Sequence, residues 1–379
     1  MLKKAASLVL ALCLTLSLTV TVSAAGSMEH FYKSASYASG QFRDVPAGAW
    51  YEESLKSCFE CGLMNGTAAT AFSPAVSLTR AQALVMAVRV HMIYQDGKAE
   101  LDSGTPWYQP ALDYALEQGM VKAEDFSDYD ADATRGEMAY LFAKALPESE
   151  LKAINTVTTL PDVTGSAPYS DAILRLYRAG VLNGSDIYGT FKPAAGITRA
   201  EACAIIARVA FPEQRKNLEL FKASELALSD KGISANDDGY AEGTLGDVMR
   251  TYFFDYKITS AYTCAALNGY QPTSGNQLLV VRIVMKNTDA HGSIPMFDTD
   301  FMVEWGDGEE DYAFPLGNTA LINSQLPASY ELALKETRAG VLVFEVPAGS
   351  RAFTISYLEL FDDDTIGDIF FTDFVANQK

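Results

Sequence analysis

The sequence predicts a multidomain protein: a mostly α region of three helix–loop–helix units, then an all-β, immunoglobulin-like sandwich. Three observations carry this. One residue pattern recurs three times between positions 42 and 211. Beyond about 225, helical periodicity gives way to strand-like alternation. The charge also divides unevenly, with 14 basic and 21 acidic residues in 42–211 against 9 and 24 in 225–379. A chain of 379 residues fits two to four domains at roughly 100–200 residues each. Its net charge of −19 speaks against binding nucleic-acid backbones or anionic membranes, both of which call for clustered Lys and Arg. Three His and five Cys leave few members for a nitrogen or thiolate metal site.

Residues 1–25 read as a secretory signal peptide. Lys3 and Lys4 precede an apolar run from Leu8 to Val22, and Val22-Ser23-Ala24-Ala25 supplies small residues for cleavage. Export would leave Cys58, Cys61, Cys203 and Cys264, too sparse for a disulfide framework. Cys58 and Cys61 lie three apart on one helix face. They suit a redox pair or half a zinc site, but two small buried apolar side chains are the simpler reading, because no second C-x-x-C accompanies them.

The units span 42–96, 97–150 and 158–211. The first reads Phe42-Arg43-Asp44-Val45, Trp50-Tyr51, Leu55, Gly62, Asn65-Gly66, Phe72-Ser73-Pro74 and Leu78-Thr79-Arg80-Ala81-Gln82. The third reads Leu160-Pro161-Asp162-Val163, Tyr169, Ile173, Gly180, Asn183-Gly184, Phe191-Lys192-Pro193 and Ile197-Thr198-Arg199-Ala200-Glu201. The second keeps Trp107-Tyr108, Leu112, Gly119 and Ala133-Thr134-Arg135-Gly136-Glu137. Apolar residues at helical spacing follow each aromatic start. Gly62, Gly119 and Gly180 then suit the left-handed position just past a helix. Thr79, Thr134 and Thr198, each with Gln or Glu three residues later, predict capping boxes opening a second helix. A single helix pair cannot bury its apolar face, so the three are expected to pack as one domain. The Arg after each Thr opposes the helix dipole, which suggests a task such as holding a carboxylate. A structural Arg pinning a neighbouring loop is the alternative.

Residues 212–224 read as a polar, helical linker. Strand-like runs then fall at 248–259, 278–287, 297–305, 330–334, 338–346, 353–360 and 368–375, separated by Gly, Asn, Asp and Pro, a spacing that argues for a β-sandwich over 225–379. In 278–287, Arg282 and Lys286 are placed on one face and Leu279, Val281, Ile283 and Met285 on the other. Asp298 and Asp300 read as the polar face of a strand. Paired carboxylates of that kind could serve a glycosidase, yet no cleft signature, nucleophile elbow or zinc motif accompanies them. Acidic clusters at 307–311 and 362–364 read as solvated turns, with calcium binding as the alternative.

The repeats resemble S-layer homology domains, whose pattern runs F-x-D-V, W-Y, G, F-x-P and I-T-R-A-E. The resemblance implies a three-repeat pseudo-trimer whose grooves bind secondary cell-wall polysaccharide, often with a pyruvylated terminal sugar, anchoring an exported protein to the Gram-positive wall or S-layer surface. It implies that Arg80, Arg135 and Arg199 face the sugar acid, and that Asp44, Asp162, Trp50, Trp107, Gly66 and Gly184 line the grooves. Departures from the pattern are Gln82 for Glu, Gly136 for Ala, Pro168 for Trp and, in the second unit, loss of F-x-P and F-x-D-V. The Arg80 groove is expected to be the best preserved, because the first unit retains both Asp44 and Trp50, and the Arg135 groove the least. The C-terminal strand pattern resembles a telokin-like, immunoglobulin-type domain of unknown function. The function expected is therefore a non-catalytic, wall-anchored surface protein displaying a sandwich of unknown ligand, with no cofactor, no metal, no nucleic-acid partner and no membrane insertion of the mature chain. The alternatives are a glycan or wall hydrolase tethered by the same repeats and a calcium-dependent adhesin.

Overall fold

The structure is a computed structural model. It describes residues 26–379 except 291, 307, 309, 318, 320, 362 and 364, so the expected signal peptide lies outside the described residues, as does part of each acidic cluster. The helical region holds six α-helices among the described residues. They are α1 (Glu52–Glu60), α2 (Arg80–Asp96), α3 (Gln109–Glu117), α4 (Arg135–Phe142), α5 (Ser170–Arg178) and α6 (Arg199–Ala210).

Local chemistry sets their ends. Thr79, Thr134 and Thr198 each cap the second helix of a pair, and the side chains of Gln82, Glu137 and Glu201 return to the capping backbone N–H. Gly62, Gly119 and Gly180 follow the first helices with φ of 69°, 65° and 73°, a conformation that costs a residue with a Cβ.

The helix starts interlock. The N–H of Arg80 donates to Ala131 O at 2.9 Å, that of Arg135 to Ala195 O at 2.9 Å and that of Arg199 to Val76 O at 2.9 Å. Each helix N-terminus thus finds its orphan partner in the loop of a different unit. The first helices pack in the same crossed fashion, α1 on α6, α3 on α2 and α5 on α4. One apolar core runs through all of them, from Leu55 and Phe72 through Met138 and Phe142 to Tyr177 and Ile206. Cys58, Cys61 and Cys203 are buried in it as free thiols, and burial pushes the Cys58 thiol well up.

Residues 212–226 are not a continuous helix. Two 3-10 turns, Pro212–Gln214 and Ala223–Leu226, flank an extended strap. Arg215, Glu219 and Phe221 on it are buried, so the segment is packed rather than free.

The C-terminal region is a β-sandwich. Its strands are β1 (Tyr240–Thr244), β2 (Met249–Arg250), β3 (Phe254–Cys264), β4 (Asn276–Asn287), β5 (Ile294–Phe297), β6 (Phe301–Glu304), β7 (Tyr312–Ala313), β8 (Ser329–Leu332), β9 (Thr337–Pro347), β10 (Ala352–Leu360), β11 (Ile366–Val375) and β12 (Asn377–Gln378). One sheet runs β1-β11-β10-β6-β7, the other β12-β3-β4-β9 with β2 beside β3, and β5 pairs with β8. β1 lies parallel to β11 and β12 parallel to β3. Phe254, Tyr256, Phe301, Phe344 and Phe370 fill the space between the sheets.

One sequence expectation changes here and another is extended. Arg282 and Lys286 share one face of β4 as expected, and at Arg282 that face is buried. The second face of β4, with Leu278, Val280 and Val284, is covered by Phe221 of the strap. There Arg282 pairs with Glu219 (2.8 Å) and Glu225 (2.6 Å), its guanidinium 3.9 Å from the Phe221 ring centre. A strand buried on both faces reads as a continuous apolar run, which is why 278–285 shows so little alternation. Asp298 and Asp300 are not on a strand. They form a 3-10 turn between β5 and β6 that breaks the expected 297–305 strand, with Asp300 Oδ2 accepting the Phe297 N–H at 2.7 Å.

Candidate functional site

The Arg that follows each capping Thr lies at a unit junction, and each guanidinium is used differently. Arg80 is fully engaged. Its Nε and Nη2 meet Glu137 Oε1 at 3.0 and 2.8 Å and its Nη1 donates to Asp128 O at 3.0 Å. Arg135 donates Nε to Phe191 O at 2.8 Å and Nη1 to Glu201 Oε1 at 2.9 Å, with its guanidinium 5.0 Å from the Phe191 ring centre. Arg199, only 6% exposed, donates Nε to Phe72 O at 2.8 Å and Nη2 to Asn65 O at 2.7 Å. It makes no ion pair among the described residues. The first two arginines each meet the capping Glu of the following unit; the residue at that motif position in the unit after Arg199 is Gln82, which carries no charge. Burial lowers the Arg199 pKa, and Cys203 and Asp44 only partly offset this.

The two aspartates build loops. Asp44 accepts the N–H groups of Phe72 (2.8 Å) and Ser73 (2.7 Å), and Asp162 those of Phe191 (2.9 Å) and Lys192 (2.6 Å). Ser73 and Lys192 both sit at φ 59°, so each carboxylate holds a left-handed turn in place. Burial works against the charged form of Asp44, but these N–H donors win and its pKa is lowered. Gly66 and Gly184 are required by close packing. A Cβ on Gly66 would lie 2.4 Å from the Phe42 ring and 2.6 Å from Ala71 O, and one on Gly184 would lie 2.7 Å from Gly189 Cα.

Trp50 and Trp107 stand clear of the core, 66% and 55% exposed, while their neighbour Tyr51 is buried and Tyr108 half-buried. A groove of about 370 Å³ is lined by Trp50 from the first unit, Arg135 from the second, and Gly184, Lys192, Glu201 and Arg208 from the third. This reverses the expected grouping. Trp50 does not lie with Arg80, because α1 packs on α6 and carries its leading aromatic to the Arg135 groove. Asp44 lies beside Arg199 rather than Arg80. At Arg80 the position expected to hold Trp is Pro168, and the following Tyr169 packs on Tyr140 with ring centres 5.1 Å apart. Arg208 and Lys192 were not singled out in the sequence. The only signal for Arg208 was a cation nine residues after each motif Arg, namely Arg89, Lys144 and Arg208.

Among the described residues no group of three or more His, Cys, Asp or Glu is placed to hold a metal ion. No helix among them is long and apolar enough to cross a membrane.

The sequence of two of these units matches a known class of module. The S-layer homology domain matches residues 41–84 and 159–203, which cover most of the first and third units; the stretch between, with the eroded second unit, is not included. The chain carries S-layer homology domains over these residues, and these with its S-layer relatives indicate a cell-surface protein. It is similar to a surface-layer 125 kDa protein of Lysinibacillus sphaericus, 28% identical over 114 residues, covering 28% of this chain and 10% of that protein. It is similar to an S-layer protein of Bacillus licheniformis, 25% identical over 210 residues, covering 52% and 24%. An endoglucanase of Bacillus sp. (strain KSM-635) is 27% identical over 171 residues, covering 44% and 18%. The matches thus span a quarter or less of the length of these relatives.

Proposed function

We propose that the three units, 42–96, 97–150 and 158–211, form a pseudo-threefold wall anchor whose grooves bind secondary cell-wall polysaccharide. The cyclic exchange of helix-start hydrogen bonds supports the threefold arrangement. The observation that carries the binding reading is the groove that draws Trp50, Arg135 and Gly184 from three different units. A flat exposed aromatic offers a stacking face to a sugar ring, and the guanidinium and backbone groups opposite offer polar contacts. By the same rotation Trp107, just before α3, is assigned with Arg199 to the second groove, since α3 packs on α2 as α1 packs on α6. The Arg80 site, with every guanidinium nitrogen satisfied, serves as a strut. The ligand carries an acidic substituent such as a pyruvyl ketal.

In this reading the protein is non-catalytic. Residues 212–224 are a packed strap, and 225–379 is an immunoglobulin-like module displayed at the surface for a ligand of its own. The endoglucanase likeness covers too little of either chain to bring that activity here.

The test is co-sedimentation of the whole chain with purified Gram-positive sacculi, before and after hydrofluoric-acid extraction of the secondary polymer. Binding lost on extraction is the expected result. Equal binding to both would overturn the reading, and turnover of glycan in the same tubes would favour a tethered hydrolase.

A further inference from the structure

We propose that, in the Arg135 groove, the residue that reads an anionic group on the bound sugar is Arg208, with Lys192 as its second positive contact, and that Arg135 is a positioning residue. This rests on the reading of the groove as a polysaccharide site.

The charge balance inside the groove argues for it. Arg135 and Glu201 lie 2.9 Å apart and offset one another. Arg135 Nε is further held by Phe191 O, so its guanidinium is fixed to the groove wall. Arg208 has a different environment. Its Nη1 donates to two neutral acceptors, Val181 O at 3.2 Å and Asn183 Oδ1 at 3.1 Å. No carboxylate pairs with it among the described residues, and its remaining guanidinium nitrogens make no hydrogen bond there. Burial pushes its pKa down to about 10. Another cation, Lys216, lies within its field: the Lys216 pKa is lowered by burial and then by the Arg208 charge, with Glu53 opposing. The side chain nevertheless lines the groove together with exposed Lys192.

Arg208 is half-buried, so its charge is only partly hydrated, and a guanidinium in that position without a counter-charge is disfavoured. An anion delivered to it restores the missing interaction, and a planar carboxylate can take two parallel N–H donors. The groove wall thus carries one neutralised pair and two unneutralised cations, so an acidic ligand is favoured over a neutral one. At the corresponding position of the Arg80 site the cation is Lys144, whose Nζ lies 5.4 Å from the Tyr140 ring centre and is held on that ring.

The test uses the whole chain and two probes: the acidic polymer extracted from Gram-positive sacculi, and the same polymer with its carboxylates reduced to alcohols. Affinity is measured by calorimetry for wild type, R208Q, R208K and K192Q, with folding checked by circular dichroism. Wild type is expected to prefer the acidic polymer. R208Q should lose about tenfold or more on the acidic polymer and little on the reduced one, with R208K between. K192Q, at an exposed position, should lose a few-fold on the acidic polymer alone. If R208Q does not fold, R208K and K192Q carry the comparison. Equal losses on both polymers, or none, would assign Arg208 a structural role and overturn the proposal. Binding of neither polymer by wild type would overturn the groove reading itself, and this assignment with it.

Discussion

Arg135 Nη1 lies 2.9 Å from Glu201 Oε1, and the two residues belong to consecutive units. Arg80 and Glu137 repeat the relationship one step earlier, at 2.8 Å. The glutamate that closes the capping box of one unit is therefore also the counter-charge for the arginine of the unit before it. One residue type at one motif position does two jobs: it satisfies an orphan helix donor and it ties neighbouring units together.

Removal of the strut should loosen the helical region without abolishing wall binding. In Arg80→Ala the Glu137 side chain, 9% exposed, loses its counter-charge and keeps the Thr134 N–H. Breaking a buried pair costs about 3–5 kcal/mol, and the retained N–H and the partial exposure of Arg80 bring this to roughly 2 kcal/mol. Urea unfolding followed by helix ellipticity should show a lowered midpoint, and the double change with Glu137→Gln should recover part of it. Sacculus binding below the transition should stay near wild type. A binding loss with an unchanged midpoint would mean that Arg80 contacts the ligand directly.

At the third junction the counter-charge is missing, and it can be supplied. Gln82→Glu should place a carboxylate opposite Arg199, whose charge is now offset only partly. A gain of about 1 kcal/mol in stability is expected for a partly buried pair. If the uncommitted Arg199 nitrogen takes part in binding, the same change should weaken sacculus binding several-fold. A variant that gains stability and keeps full affinity would remove Arg199 from the ligand contacts.

Much of this was legible in the sequence because it is local. Thr-to-Glu spacing states a capping box, and a Gly at the end of an apolar helical run states its terminus. What stayed hidden depends on which unit lies beside which. Trp50 and Arg80 sit in one repeat and were grouped on that ground, yet α1 leans on α6 and the tryptophan serves Arg135. Alternation put Arg282 on its own face of the strand, but the strap that covers that face lies some sixty residues earlier in the chain. The short strands β1 and β12 carry almost no pattern of their own, since each is fixed by parallel pairing to a distant strand.

The exposed tryptophans separate binding from folding. Trp50→Ala and Trp107→Ala remove side chains that are mostly in solvent, so the melting temperature should move by less than about 2 °C. Loss of a stacking face should cost roughly 1–2 kcal/mol of binding, about tenfold in affinity. Intrinsic fluorescence gives the complementary reading, because polymer should shift the emission of wild type and the shift should shrink in each variant. Equal affinity in both would leave the tryptophans outside the site.

The sandwich carries its own signature in pH. Burial raises the Asp300 carboxyl to about 6; the Phe297 N–H opposes this and the nearby Asp298 charge adds to it. The folded pKa therefore lies above the unfolded one, near 3.8, so between those values the folded state holds the proton more tightly. Stability contributed by this group is full below about pH 4, is lost as pH rises to about 6, and is flat above. Two pK units set an upper bound of about 3 kcal/mol, reduced in proportion to solvent access. Asp300→Asn keeps an acceptor for the Phe297 N–H and cannot ionise, so it should remove the decline and leave the variant more stable than wild type at pH 7. The measurement is urea unfolding of the sandwich by tryptophan fluorescence from Trp305, at half-unit steps from pH 4 to 7. Parallel wild-type and variant curves across that window would show that Asp300 titrates at its ordinary value.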